Sequence, residues 1–263
     1  LSAFNGQRLL AALDSFATLE DASPLVSRVR LIKSNAEIAY VRKAAELCDA
    51  AWQAAIDGTR PGVDEADILA DMHAVVYRGG GDGAANEFII GSGPGALMCR
   101  YYTGRRKLQP TDQLTLEFAG SYRHYHAAMM QTIGIGKPPA RQHDLWQAGT
   151  DALLACEAAL RPGNTIGDVF DAHVRVLDTA GLSNFRLNAC GYSLGATFAP
   201  IWMDGFMAYK DNPVIIQPGM VYFLHMIIFD DETGLAATPG RTSLVTASGG
   251  EVLSRSGLEF VIK

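Results

Sequence analysis

The chain has 263 residues, of which 48% are apolar and 19% charged, and its formal net charge is -6. This composition is that of an ordinary globular protein and excludes a disordered chain. An acidic chain with few clustered Lys and Arg residues is poorly suited to nucleic acid or an anionic membrane, so we expect its partner to be a small-molecule substrate.

Two helices are predicted after a mixed N-terminal segment. Ser34 and Glu37 have the spacing of a capping box, in which each side chain binds the backbone amide of the other residue. Apolar residues then recur at helical spacing until the RPG turn at 60–62 ends the helix. Asp64 predicts the N-cap of a second helix, which ends at the glycines at 79–81.

An internal repeat is the strongest structural signal in the sequence. RPGVDEADILADMHAVVYRGG at 60–80 matches RPGNTIGDVFDAHVRVLDTAG at 161–181. In the same order, GSGPGA matches GYSLGA, and LQPTDQLTLEF matches IQPGMVYFLHM. Three matching blocks predict a duplicated domain whose halves each contain helices followed by strands. The repeat places Glu117 and His225 at equivalent points, on opposite sides of a central cleft.

These blocks make the chain resemble the creatinase/prolidase/methionine aminopeptidase superfamily, peptidase family M24. The resemblance covers about residues 27–263 and rests on the two RPG helices, IIGSGPGAL, LQPTDQLTLEFAG, GYSLG and QPGMVYFLHM. It implies the duplicated pita-bread fold, an α+β fold in which helices cover a curved antiparallel sheet with a pseudo-two-fold axis through the cleft. It also implies a homodimer. Residues 1–33 would be the tail and linker of an N-terminal domain, and 34–263 the catalytic domain.

The resemblance bears directly on metal binding. Metallopeptidases of this family hold two metal ions through five side chains, and the resemblance places those positions at Glu117, Ala128, Tyr192, His225 and Gly240-Arg241. Only Glu117 keeps a carboxylate. Because a methyl group, a phenol and a glycine cannot supply the ligands of a dinuclear site, we predict no metal and no other cofactor.

Two metal-free branches of the family remain. The His and two Glu that creatinase uses fall on Arg100, Met130 and His225, so its machinery is not carried over. Ectoine hydrolases are more similar, because they share the EFAG strand that begins at Glu117, the pair Tyr125-His126 and the GYSLG strand. This resemblance predicts a metal-independent hydrolase that acts on a C–N bond in a small zwitterionic amidine or amide.

Three residues are the catalytic candidates. Glu117 comes first, because a carboxylate on an apolar strand is costly to bury unless chemistry or a partner uses it. His126 is the preferred general acid or base, since imidazole titrates near neutral pH, and His225 lies opposite Glu117 by the repeat. The alternative for each histidine is a buried ring bonded within the core, and for Glu117 an ion pair with Arg100 or Arg241.

A second group of residues is expected to contact the substrate. His124 is two residues from His126, which would place both on one strand face. Tyr192 can donate its phenol proton, and Arg100 can clamp a carboxylate. A serine nucleophile in GYSLG is disfavoured, because the sequence lacks the strand, elbow and helix that such a serine needs. The substrate-binding candidates are Tyr192, Ser193, Arg100, Tyr125, His124 and Arg241.

Cysteine usage and hydropathy indicate the compartment. The four cysteines are far apart and form no CxxC pair, which is typical of buried thiols in a reducing environment. No apolar run is long enough to span a membrane, and the N-terminal segment has no basic region that would begin a signal peptide. We therefore predict a cytoplasmic protein.

Two other functions stay open. The chain could be an Xaa-Pro dipeptidase or aminopeptidase with remodelled ligands, for example a single metal held by Glu117, His126 and His225. It could also be a non-catalytic binding domain on the same scaffold, because one fold can carry unrelated functions.

Overall fold

Six α-helices are present in the computed structural model, which describes residues 2–98 and 105–263. Both predicted N-caps are confirmed: Ser34 and Glu37 form the capping box, and the Asp64 side chain accepts the amide of Ala66. A short 3-10 helix spans Gly93–Leu97. The α-helices are α1 Ala3–Leu13, α2 Ser23–Leu31, α3 Asn35–Gly58, α4 Glu65–Arg78, α5 Ala140–Ala159 and α6 Ile166–Thr179.

One large antiparallel sheet forms the centre of the described chain. Its strands lie in the order β1-β2-β3-β9-β6-β4-β5, with β10 paired to β9, and β7 and β8 form a separate pair. The strands are β1 Ile89–Ser92, β2 Asp112–Tyr122, β3 Tyr125–Ile135, β4 Ala189–Leu194, β5 Met203–Tyr209, β6 Val221–His225, β7 Ile228–Asp230, β8 Leu235–Ala237, β9 Gly240–Thr246 and β10 Gly249–Val252.

The order of the strands confirms the duplication. β3 and β9 are neighbours at the centre, β2 and β6 flank them, and β1 and β4 lie outside these. Each half therefore repeats the same three-strand unit, related by a pseudo-two-fold axis between β3 and β9. The helices repeat as well, since α4 follows the first RPG turn and α6 the second. The predicted α+β fold with a duplicated, helix-covered antiparallel sheet is confirmed.

The sheet has a helix face and a concave face. A Cβ on Gly120 would collide with the carbonyl of Ala44 in α3, so this position of β2 faces the helices. Phe118, two residues earlier, stacks on Trp52 of α3 with ring centroids 6.4 Å apart. Because side chains alternate along a strand, Glu117 points to the opposite, concave face.

The N-terminal segment joins the core at its end, through Leu31 of α2. Helix α1 buries none of its residues, and the assignment of residues 1–33 to a tail and linker stays a prediction. Among the residues that the structure describes, no helix combines the length and apolarity that are needed to cross a bilayer.

Candidate active site

One row of the concave face contains Glu117, Met130, Gly240 and His225. Glu117 pairs with Met130 across β2 and β3, Met130 with Gly240 across β3 and β9, and Gly240 with His225 across β9 and β6. Paired residues on antiparallel strands point to the same face. The duplicated strands therefore present Glu117 and His225 at equivalent positions of one concave surface, as the repeat predicts.

Tyr192 connects the two halves across this surface. Its hydroxyl donates to Glu117 Oε1 at 3.1 Å, and it accepts the indole N–H of Trp202 at 2.7 Å. β4 and β2 are four strands apart, which in a flat sheet would separate them by roughly 19 Å. Direct contact between their side chains therefore shows how strongly the sheet curls. Glu117 and Tyr192 are both buried, 8% and 5% exposed.

His225 is a buried, neutral imidazole beside this pair. Its ring lies 5.5 Å from the ring of Tyr192 and 5.2 Å from that of Phe223, centroid to centroid. Burial lowers its pKa to about 3, with a smaller contribution from nearby His173. In the described part of the chain its Nδ1 atom has no hydrogen-bond partner. A buried polar atom of this kind is costly unless a ligand satisfies it.

His126 uses both ring nitrogens within the protein. Nε2 accepts the amide N–H of Ala85 at 3.0 Å, and Nδ1 lies 3.2 Å from Thr197 Oγ1 and 3.5 Å from the Gly195 carbonyl. Burial lowers its pKa to about 4. The ring thus joins β3 to two separate segments of the chain. These contacts favour the structural alternative over the predicted role as general acid or base.

His124 does not share a strand face with His126, and this prediction is wrong. Arg123 and His124 are the two turn residues between β2 and β3, with φ of 53° and 64°. Such a turn joins paired strands directly, so β3 begins only at Tyr125. The ring of His124 packs instead on Phe198, with centroids 4.5 Å apart.

Tyr125 and Arg241 lie on the helix face, where neither contacts the concave surface. The Tyr125 hydroxyl donates to Glu37 Oε1 at 2.9 Å, and burial, with a smaller contribution from this bond, raises the pKa of Tyr125 to about 12. Arg241 makes a two-pronged ion pair with Glu157 of α5, at 2.7 and 2.9 Å. Each is one residue away from a concave-face position, so alternation turns it away from the site. The structure gives no support to their predicted role in substrate binding.

Ser193 is turned away in the same manner. It follows Tyr192 in β4, and its Oγ atom accepts the amide N–H of Phe206 at 3.3 Å. This leaves the disfavoured serine nucleophile without structural support. Arg100 lies outside the described residues.

The side chains do not fit the metal centre that the family resemblance implies. Of the five ligand positions, Glu117 binds Tyr192, and Arg241 is paired with Glu157. Ala128 exchanges backbone hydrogen bonds with the Thr242 hydroxyl, both at 2.8 Å. Within residues 2–98 and 105–263, no three His, Cys, Asp or Glu side chains are grouped to hold a metal. One carboxylate and one imidazole are too few donors for a dinuclear site.

Sequence reasoning missed two residues of the site. Phe223 could have been found, because it is two residues before His225 in the same strand and must share its face. Trp202 could not, since it lies in the loop between β4 and β5, where no periodicity relates it to Tyr192.

Comparison with known proteins identifies relatives of the whole chain. The profile of metallopeptidase family M24 matches residues 39–247. An uncharacterized hydrolase/peptidase, y4tL, of Sinorhizobium fredii is 31% identical over all of this chain and 66% of its own length. Ectoine hydrolase of Halomonas elongata is 26% identical over 94% of this chain and 64% of its own length. The chain spans about two thirds of the length of these relatives.

Solved structures share the fold. Dipeptidase PepE of Mycobacterium ulcerans superposes with a TM-score of 0.87 at 24% identity, over 100% of this chain and 69% of its own. X-Pro aminopeptidase of Thermotoga maritima gives 0.89 at 17% identity, over 100% and 72%. At these identities the likeness establishes the pita-bread fold alone.

Proposed function

The chain belongs to metallopeptidase family M24, and we propose that it hydrolyses a C–N bond in a small zwitterionic amidine or amide without a metal ion. The observation that carries this proposal is the concave row, in which Glu117 is the one carboxylate and His225 the one imidazole. The ectoine hydrolase relative supports the substrate class. The hydrolase and peptidase relatives support hydrolysis as the reaction.

Glu117 is the base and the anionic anchor in this proposal. Its carboxylate accepts the Tyr192 hydroxyl on Oε1, which fixes the carboxylate plane and stabilises the ionised form. An ionised carboxylate in a buried cleft attracts a cationic amidinium or ammonium group, because low polarity strengthens the attraction. It can also accept a proton from a water molecule placed against the substrate carbon.

His225 acts in the neutral form. With its pKa lowered to about 3, the ring is not protonated at neutral pH and is a weak base. A neutral imidazole still has one N–H donor and one acceptor nitrogen, so it can polarise a carbonyl or bond to the departing nitrogen. We assign it to substrate contact rather than to initial proton abstraction.

The reaction then balances with water as the only co-reactant. Water oxygen bonds to the amide or amidine carbon while Glu117 takes a water proton. The C–N bond breaks, and the departing nitrogen receives that proton. In this proposal the N–H of the neutral His225 ring stabilises the charge that develops on the substrate, while the Tyr192 hydroxyl holds the Glu117 carboxylate in place.

The test measures turnover and metal content on one preparation of the full-length gene product. Ectoine, creatine and Xaa-Pro dipeptides are offered with and without a chelator, and metals are quantified by elemental analysis. Turnover is expected to survive the chelator and to fall by about 10²–10⁴-fold in Glu117→Gln. Glu46→Gln, on an exposed carboxylate of α3, is the matched control and should retain activity. Activity that disappears with the chelator and returns with manganese would overturn metal independence.

A metallopeptidase with remodelled ligands is the second candidate. It is favoured by the Xaa-Pro dipeptidase of Pyrococcus furiosus, which is 22% identical over 90% of this chain. The simplest such site, a single ion on Glu117, His126 and His225, needs a ring nitrogen of His126 that the protein now uses. One bound metal per chain, together with cleavage of Xaa-Pro dipeptides, would establish this alternative.

A further inference from the structure

Trp202 is a residue of the site to which the proposed reaction gives no role. It is 1% exposed, and its indole N–H donates to the Tyr192 hydroxyl oxygen at 2.7 Å. We infer that Trp202 is a positioning residue, which fixes the direction of the Tyr192 hydroxyl toward Glu117. Its catalytic consequence rests on the function proposed above.

The hydrogen-bonding capacities of the groups set this direction. An indole N–H can only donate, and a phenol has a single proton. When the Tyr192 oxygen accepts from Trp202, its own proton is left for an acceptor, and Glu117 Oε1 lies at 3.1 Å. A hydroxyl that accepts one bond also donates more strongly, because successive hydrogen bonds polarise one another.

The loop that carries Trp202 is held independently of Tyr192. Asp204, two residues later, pairs with Arg30 at 2.8 Å and with the buried Lys33 at 3.5 Å. Near the start of the loop, His126 contacts Thr197, as described above. The indole is therefore fixed by contacts at both ends of its loop, and it orients Tyr192 rather than following it.

Nuclear magnetic resonance of the indole groups tests the inference without a substrate. The chain contains three tryptophans, Trp52, Trp146 and Trp202, and the Trp146 indole donates to the Leu258 carbonyl at 2.9 Å, outside this network. The Trp202 ¹H–¹⁵N signal is the one missing from Trp202→Phe. If that variant does not fold, Trp52→Phe and Trp146→Phe assign it by elimination.

Glu117→Gln is expected to move the Trp202 indole signal by more than its line width and to leave the Trp146 signal in place. In the Tyr192→Phe background the same change should no longer move the Trp202 signal, because the chain of hydrogen bonds from Trp202 through Tyr192 to Glu117 is broken. A Trp202 signal that ignores Glu117→Gln would overturn the inference. A response that persists without the Tyr192 hydroxyl would also overturn it, since proximity alone would then explain the effect.

Kinetics separate this inference from the proposed function. On any of the three substrates that is turned over, Trp202→Phe should lower kcat by about 10-fold or more with little change in KM, because orientation is lost rather than binding. A purely space-filling tryptophan would give an unchanged kcat in variants that fold, which would count against positioning. If Glu117→Gln moves the Trp202 indole signal as expected but no substrate is turned over, the positioning role of Trp202 is supported and the proposed function is rejected.

Discussion

Two buried tyrosines on neighbouring strands allow the contribution of the Tyr192 hydrogen bonds to the free energy of unfolding to be measured. The Tyr192 hydroxyl of β4 donates to Glu117 and accepts from Trp202, whereas Tyr222 of β6 is fully buried and its hydroxyl has no partner among the described residues. The perturbation is the same in both cases, removal of one oxygen by Tyr→Phe. The two variants thus differ in the bonds that are lost and hardly in the volume removed.

The expected changes in the free energy of unfolding follow from those hydrogen bonds. Tyr192→Phe removes a hydrogen bond to a carboxylate and strands the buried indole N–H of Trp202, so we expect a loss of about 2–5 kcal/mol. For a domain of this size, that lowers Tm by roughly 5–15 °C. Tyr222→Phe removes an unsatisfied hydroxyl, so we expect a change near zero or a gain of up to about 1 kcal/mol.

Urea denaturation followed by circular dichroism measures both variants against the parent chain, with the slope m confirming that the same surface unfolds. Equal losses in the two variants would refute the reasoning, because the hydrogen bonds of Tyr192 would then contribute nothing beyond packing. A larger loss in Tyr222→Phe would show that its hydroxyl has a partner.

Three further predictions concern acid stability, packing and assembly. Burial lowers the pKa of His126 and His173 to about 4 and of His225 to about 3, below the value of about 6.5 in the unfolded chain. The unfolded state therefore binds more protons below pH 6.5. The free energy of unfolding should fall by roughly 2 kcal/mol for each histidine between pH 6.5 and 5. Urea titrations at both pH values check this, and an unchanged free energy of unfolding would contradict it. Gly120→Ala should cost about 1–3 kcal/mol or more because its Cβ would strike helix α3, whereas Gly58→Ala, with its nearest neighbour 3.7 Å away, should be nearly neutral, as thermal melts can show. A homodimer remains the predicted assembly, and light scattering during size-exclusion chromatography would decide between one and two chains.

Most of the fold could be predicted from the sequence, because the signals of helix caps and turns are local. A capping box needs only Ser34 and Glu37, and an RPG turn between helices needs three consecutive residues. The repeat also predicted a long-range relationship: Glu117 and His225 lie at equivalent positions of one concave surface, because duplicated halves place equivalent residues symmetrically. Side-chain direction was less accessible, because alternation fixes a face only after the first residue of a strand is known.

The turn at Arg123 and His124 illustrates that difficulty. Two-residue turns with positive φ are usually formed by Asn and Gly, and neither residue occurs here, so the sequence does not show which two residues of this polar stretch form the turn. Period-2 spacing alone therefore places His124 on a strand. Contacts that depend on sheet curl were also out of reach, because nothing in the local pattern of β4 relates Tyr192 to a carboxylate four strands away.

The repeat also explains why a symmetric scaffold holds an asymmetric site. In β1, Gly91 pairs with Thr115, while in β4 Tyr192 pairs with Phe223. Thr115 and Phe223 each lie two residues before the equivalent pair Glu117 and His225, so the counterpart of Tyr192 is Gly91. The aligned glycines of GSGPGA and GYSLGA are therefore one residue out of structural register.

Because Tyr192 in the second half corresponds to Gly91 in the first, the two halves present different chemical groups. The first half supplies a carboxylate and, at Gly91, no side chain, because the backbone of Gly95 in the 3-10 helix occupies the space that a Cβ would need. The second half supplies a phenol that crosses to the carboxylate and an imidazole that stays neutral. Hydrolysis of a C–N bond needs a proton acceptor on one side of the carbon and donors on the other. Two identical halves would present the same groups on both sides, whereas the divergence at these two pairs of positions supplies the acceptor and the donor of the reaction that we propose.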